Sequence, residues 1–211
     1  MKERASLIAS WFGFLGVIFF VFTTFLAGLL LPNYSHFSQL ISESYATGTP
    51  YGEYLRYLGF IPSGIFIATF AFFAVKGLPE SRLTSIGFLG IGVFYGIATG
   101  IVGLFPCDEG CGSELVDPSL SQLVHNIMGS LTYMIVPLSL ILVGVAARKW
   151  PASQYVFYAG IICGLSAVIF VGILSSNLES RFTGLYQRIV EGFILLFITI
   201  CCIYFKSPQK G

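Results

Sequence analysis

Six long apolar runs, each bounded by short polar segments, follow one another along the chain. They cover about 8–31, 57–75, 83–105, 126–147, 155–174 and 185–205. Each is close to the roughly 20 residues that an α-helix needs to cross ~30 Å of hydrocarbon. A helix is the expected form, because lipid offers no partner to a free backbone N–H or C=O. A transmembrane barrel would instead show alternating segments of about 10 residues, and no such alternation occurs. The pattern predicts an all-α, polytopic membrane protein: one bundle of six transmembrane helices filling a single domain, residues 1–211.

Composition agrees. The chain is 55% hydrophobic and only 10% charged, well below the roughly 25% of a soluble domain. A formal net charge of +1 gives no reason to expect a nucleic-acid partner. The distribution of charge says more than its sum. With both termini placed in the cytoplasm, Lys2, Arg4, Lys76, Arg82, Arg148, Lys149, Lys206 and Lys210 lie inside, leaving Arg56, Arg181 and Arg188 outside. The acids run the other way: Glu43, Glu53, Asp108, Glu109, Glu114, Asp117, Glu179 and Glu191 are outside. The positive-inside rule therefore predicts cytoplasmic N- and C-termini. The first run is too long for a cleaved signal and reads as an uncleaved first helix.

The loops differ in length. The inner ones, about 76–82 and 148–154, are short; the first outer one, 32–56, is the longest. A short helix is expected in it, capped by Ser35 or Ser38 and ended by Gly48-Thr49-Pro50. Glycines recur at four-residue spacing, as Gly92, Gly96 and Gly100, and again as Gly160 and Gly164, with Gly172 on the same stripe. Small residues so spaced let helix backbones approach closely. Packing within the bundle is the plainer reading, and a seam between copies of a homo-oligomer the sharper one.

Ionisable groups within a span are costly and so are candidates for function. Gln187, Arg188 and Glu191 share one face of the sixth helix, and Arg188 could supply a bidentate partner for Glu191. His125 and Asn126 open the fourth helix at the same membrane level as Asp108, Asp117, Arg56 and Glu53. His125 can titrate near neutral pH, and an Asp108/His125 pair could serve as acid and base. The plain alternatives are a structural ion pair and a helix cap. Cys107 and Cys111 lie outside, where disulfides persist, and a structural disulfide is the first reading. A metal site with Asp108 and His125, or a redox-active pair, stays open, although the spacing fits no strong zinc signature. No metal and no cofactor is called for. Cys163, Cys201 and Cys202 lie in helices and read as small apolar residues.

Three segments carry a family resemblance. They are Phe105-Pro106-Cys107-Asp108-Glu109-Gly110-Cys111 ending the third helix, His125 and Gly129 in the fourth, and Gly184-Leu185-Tyr186-Gln187-Arg188 opening the sixth. With them the chain resembles, over nearly its whole length, the prokaryotic membrane family catalogued as domain of unknown function 998. The resemblance implies a six-helix integral membrane protein with motif positions at Asp108, His125 and Arg188, and it assigns no activity. The combined expectation is a multi-pass protein of the plasma (inner) membrane. Its partners would be membrane lipids and a small amphiphile, bound by Arg56, Asn126, Gln187, Arg188 and Glu191. The alternatives are a membrane-embedded hydrolase built on Asp108 and His125, and a purely structural or assembly protein.

Overall fold

Six helices are long and apolar enough to cross a membrane: α1 (Lys2–Leu30), α2 (Gly52–Gly77), α3 (Arg82–Leu104), α4 (Leu120–Ala147), α5 (Gln154–Ser175) and α6 (Thr183–Lys206). The computed structural model describes residues 1–111 and 117–207; Glu114 and Lys210 lie outside them. The chain is 79% helical, with no strand among the described residues. Helices α1, α2 and α4 begin five to six residues before the apolar runs do, since polar residues extend the first turns beyond the hydrocarbon-length segment.

Each helix packs on its neighbours in the chain, and α6 closes against α1. The result is a six-membered ring in sequence order. Glycine sets the closest crossings. A Cβ on Gly160 would lie 2.5 Å from the Gly144 Cα, where α5 crosses α4, and one on Gly96 would lie 2.5 Å from the Ala68 backbone nitrogen. The glycine stripes thus serve packing inside the bundle at Gly92, Gly96, Gly160 and Gly164; Gly100 takes part through its backbone nitrogen, 2.8 Å from where a Gly64 Cβ would lie, whereas Gly172 faces open space. The lipid-facing surface of α1 keeps Leu15, Ile18, Phe22, Phe25 and Leu29 exposed.

The interior divides into two halves. Towards the end bearing the termini, Phe70, Phe88, Trp150, Tyr204 and Phe205 pack ring on ring, with centroids 5.7 to 6.4 Å apart. This half is solid. Towards the other end, called outer here after the charge pattern, a second aromatic group surrounds a gap: Phe20–Phe60 at 5.4 Å, Tyr45–Phe60 at 4.8 Å and Phe20–Tyr95 at 6.0 Å. Two π-helical turns flank it, Arg56–Phe60 in α2 and Gly92–Ile97 in α3. Each inserts extra backbone into the helix and so re-aims the side chains that follow.

The first outer loop closes this end. The helix expected after Ser35 does not form; the loop holds a single 3₁₀ turn, Ser42–Tyr45. The reason is competition for carbonyls. Phe37 C=O accepts from Leu185 N–H at 2.9 Å, and Gln39 C=O accepts from Arg188 at 2.8 Å, so both are drawn onto α6 instead of into a local helix. Gly184 permits the approach, since a Cβ there would press on the Gln39 and His36 carbonyls. The loop then turns inward and buries Tyr45.

Candidate functional site

Beneath that loop lies a cavity of about 80 Å³. Its walls come from α1, α2, α3, α4 and α6 as well as the loop, including Phe20, Tyr45, Phe60, Tyr95, His125, Tyr133 and Glu191. Glu191 is the carboxyl of this wall and is only 6% exposed. Its two oxygens accept from Tyr95 Oη at 2.6 Å and from Tyr133 Oη at 2.8 Å. Tyr133 in turn accepts from Gln187 Nε2 at 2.9 Å, and Gln187 Oε1 accepts from the Ile41 backbone N–H at 2.6 Å. One hydrogen-bonded chain thus runs from the loop, through α6, to α4 and α3.

The expected pairing of Arg188 with Glu191 is not what forms. Arg188 turns away to the loop, donating to the Gln39 and Gly184 carbonyls and, at 2.6 Å, to Tyr34 Oη. Its guanidinium also sits 5.7 Å from the Tyr34 ring. The loop carbonyls lie closer to the helix start than Glu191 does, and a planar fork binds several fixed acceptors well. Burial raises the pKa of the Tyr34 hydroxyl, against the lowering effect of Arg188. His36, beside the same guanidinium, has its pKa lowered first by burial and then by the Arg188 charge. Its imidazole is therefore neutral near pH 7.

Asp108 and His125 come near each other in the chain path without meeting. Asp108 accepts from the Ser119 hydroxyl at 2.6 Å and the Ser119 backbone N–H at 3.0 Å. Those two bonds, the hydroxyl first, hold its carboxyl below the usual range. Ser119 also caps α4 by accepting from Gln122 N–H at 3.0 Å. The Asp108 N–H donates to Gln122 Oε1 at 2.7 Å, and Gln122 Nε2 donates to Asn126 Oδ1 at 2.8 Å. His125 places Nδ1 3.0 Å from the Phe105 carbonyl. These residues tie the α3–α4 connection together. Cys107 and Cys111 form a disulfide, and their sulfurs lie with a His125 ring nitrogen inside a 4.8 Å cluster that Asp108 does not join.

Arg56 stands apart. It lies on the π-helical turn of α2, buried, with its one ion pair a 3.9 Å contact to exposed Glu53 and its guanidinium 5.6 Å from the Tyr57 ring. Of the seven residues expected to form a site by binding or catalysis, His125, Gln187 and Glu191 line the cavity. Arg188 does not line it and instead borders a neighbouring groove. That groove, largely apolar and about 290 Å³, lies between α1 and α6 and is also lined by His36, Phe25, Gly192 and Leu195. Phe20, Ile41 and Glu191 belong to both walls and separate groove from cavity.

The structure adds Tyr95, Tyr133, Tyr45 and Tyr34, which sequence reasoning passed over. A signal existed for two of them. Tyr95 and Tyr133 stand mid-span, far from the interfacial belts where tyrosine is ordinarily placed. A buried phenol needs a hydrogen-bond partner, so each pointed to a polar group on another helix.

The chain matches a family described as a protein of unknown function (DUF998) over residues 14–204. It belongs to that family, and it is a multi-pass membrane protein. No curated protein and no solved structure matches it.

Proposed function

We propose that this DUF998 protein binds an amphiphile of the outer leaflet in the groove between α1 and α6. The tail would lie along Val21, Phe25 and Leu195, and an anionic head group, such as a phosphate, would sit beside Arg188. The observation that carries this reading is the state of the Arg188 charge. Its partners are two carbonyls and a phenol, and among the described residues no carboxylate forms an ion pair with it. A guanidinium at the mouth of an apolar groove attracts an anion through a poorly screening medium.

Lipids retained by the purified protein test this. Gly192 lines the groove, and a Cβ added there meets nothing within 4 Å. Gly192→Leu should therefore fold and lose the bound lipid, while Arg188→Gln should lose preference for anionic lipid. Wild-type lipid content in both variants refutes the proposal. An acid–base role for Asp108 and His125 draws less support, because Ser119 occupies both Asp108 oxygens and the Phe105 carbonyl occupies His125 Nδ1.

A further inference from the structure

We infer that the cavity under the first outer loop binds a small monovalent cation, held between the Glu191 carboxylate and the surrounding aromatic rings. The site is separate from the lipid groove and does not rest on it. The two share only the wall of Phe20, Ile41 and Glu191.

Charge is the first reason. Glu191 is buried within a membrane span, and no cationic side chain among the described residues forms an ion pair with it; their one ion pair is Arg56–Glu53. Arg188, three positions earlier, is turned to the loop. Two phenols fix the carboxylate in place but carry no charge. Ionisation of Glu191 at such depth requires a positive counterpart, and the cavity beside it is the place where one can enter.

Donor and acceptor direction is the second. Tyr95 and Tyr133 donate their protons to Glu191. Thr99 donates to the Tyr95 carbonyl at 2.6 Å, and Thr132 to the Phe94 carbonyl at 2.6 Å. All four line the cavity. With their protons committed, what these hydroxyls can offer a guest is lone pairs. These four positions suit a cation. Tyr45, Phe60 and Phe20 add rings whose faces attract positive charge.

Size is the third. At about 80 Å³, the space accommodates a sodium or potassium ion with water, or a methylammonium ion. N-methylglucamine is a larger cation and serves as the reference.

The test is thermal unfolding of the purified full-length protein in detergent at constant ionic strength, replacing N-methylglucamine chloride by sodium, potassium or methylammonium chloride. A saturable rise in Tm with at least one small cation is expected, and the three salts distinguish an inorganic ion from an ammonium. Glu191→Gln keeps the shape and removes the charge, and should weaken the apparent affinity at least about tenfold. Gly129 lines the cavity, and a Cβ there meets nothing within 4 Å. Gly129→Leu therefore fills the space while leaving Glu191 intact, and should abolish the response even if Glu191→Gln fails to fold. Gly192→Leu, which blocks the groove, should keep it. Equal Tm in all four salts, or a wild-type response in Gly129→Leu, overturns the inference.

Discussion

A carboxylate held by two phenols in the middle of a bundle makes each phenol costly to remove. Tyr95→Phe leaves one Glu191 oxygen without its donor, and a hydrogen bond to a charged group contributes about 1.5–3 kcal/mol. Tyr133→Phe should cost at least as much, because it also strips Gln187 Nε2 of its acceptor. Chemical or thermal unfolding of the two variants measures this. In a Glu191→Leu background, Tyr95→Phe should be much milder, and equal losses in both backgrounds would contradict the pairing. Asp108 gives a pH signature of opposite origin, at the surface. Its folded pKa lies below the ordinary carboxylate value because Ser119 donates to it twice. The stability it contributes is therefore present above that ordinary value, about 3.9, and is lost as pH falls through the lower folded one. Ser119→Ala should lower Tm at neutral pH through loss of the helix cap, by about 1 kcal/mol of stability. It should also flatten the acid-side decline that sets in near the ordinary carboxylate value, about 3.9, and continues below it. An unchanged decline would assign it to other carboxylates.

Between helices, contacts are governed by how near two backbones come. Gly160 meets Gly144 and the Leu140 carbonyl directly, with no flexible side chain to yield. Gly160→Ala should thus destabilise the α4–α5 pair by about 1–3 kcal/mol, the usual cost of overpacking. Gly172 belongs to the same stripe but faces open space, so Gly172→Ala should be neutral or slightly stabilising through helix propensity. If the two substitutions have equal effects, unfolding measurements will have shown that the stripe does not pack as described. The four-residue spacing was legible in the sequence, because helix periodicity alone places those residues on one side. Which members of the stripe touch a neighbour was not, since that depends on where two axes cross. The π-helical turns at Arg56–Phe60 and Gly92–Ile97 were equally hidden. An extra residue in a turn is stabilised by what the re-aimed side chain finds on another helix, here Glu191 for Tyr95.

For the molecule as a whole, the charge asymmetry makes a prediction about orientation. Ser38 is exposed in the first outer loop and Glu80 in the loop joining α2 to α3. A membrane-impermeant thiol reagent added to intact cells should label Ser38→Cys and leave Glu80→Cys unlabelled until the membrane is opened. The background is low, since Cys163, Cys201 and Cys202 are buried and Cys107 is bonded to Cys111. The reverse pattern would invert the topology. Number and helical form of the spans follow from the sequence because a bilayer acts on each segment separately: apolar length and the need to satisfy the backbone decide crossing without reference to any neighbour. The Cys107–Cys111 pairing was legible for a similar reason, being local. The candidate site was only half legible. Scarcity of charge in hydrocarbon picked out Glu191, Arg188 and His125, but partnership depends on helix rotation and on where the first outer loop settles. Those are decided when the ring closes and α6 meets α1. Only then did Arg188 go to the loop and Glu191 to two tyrosines.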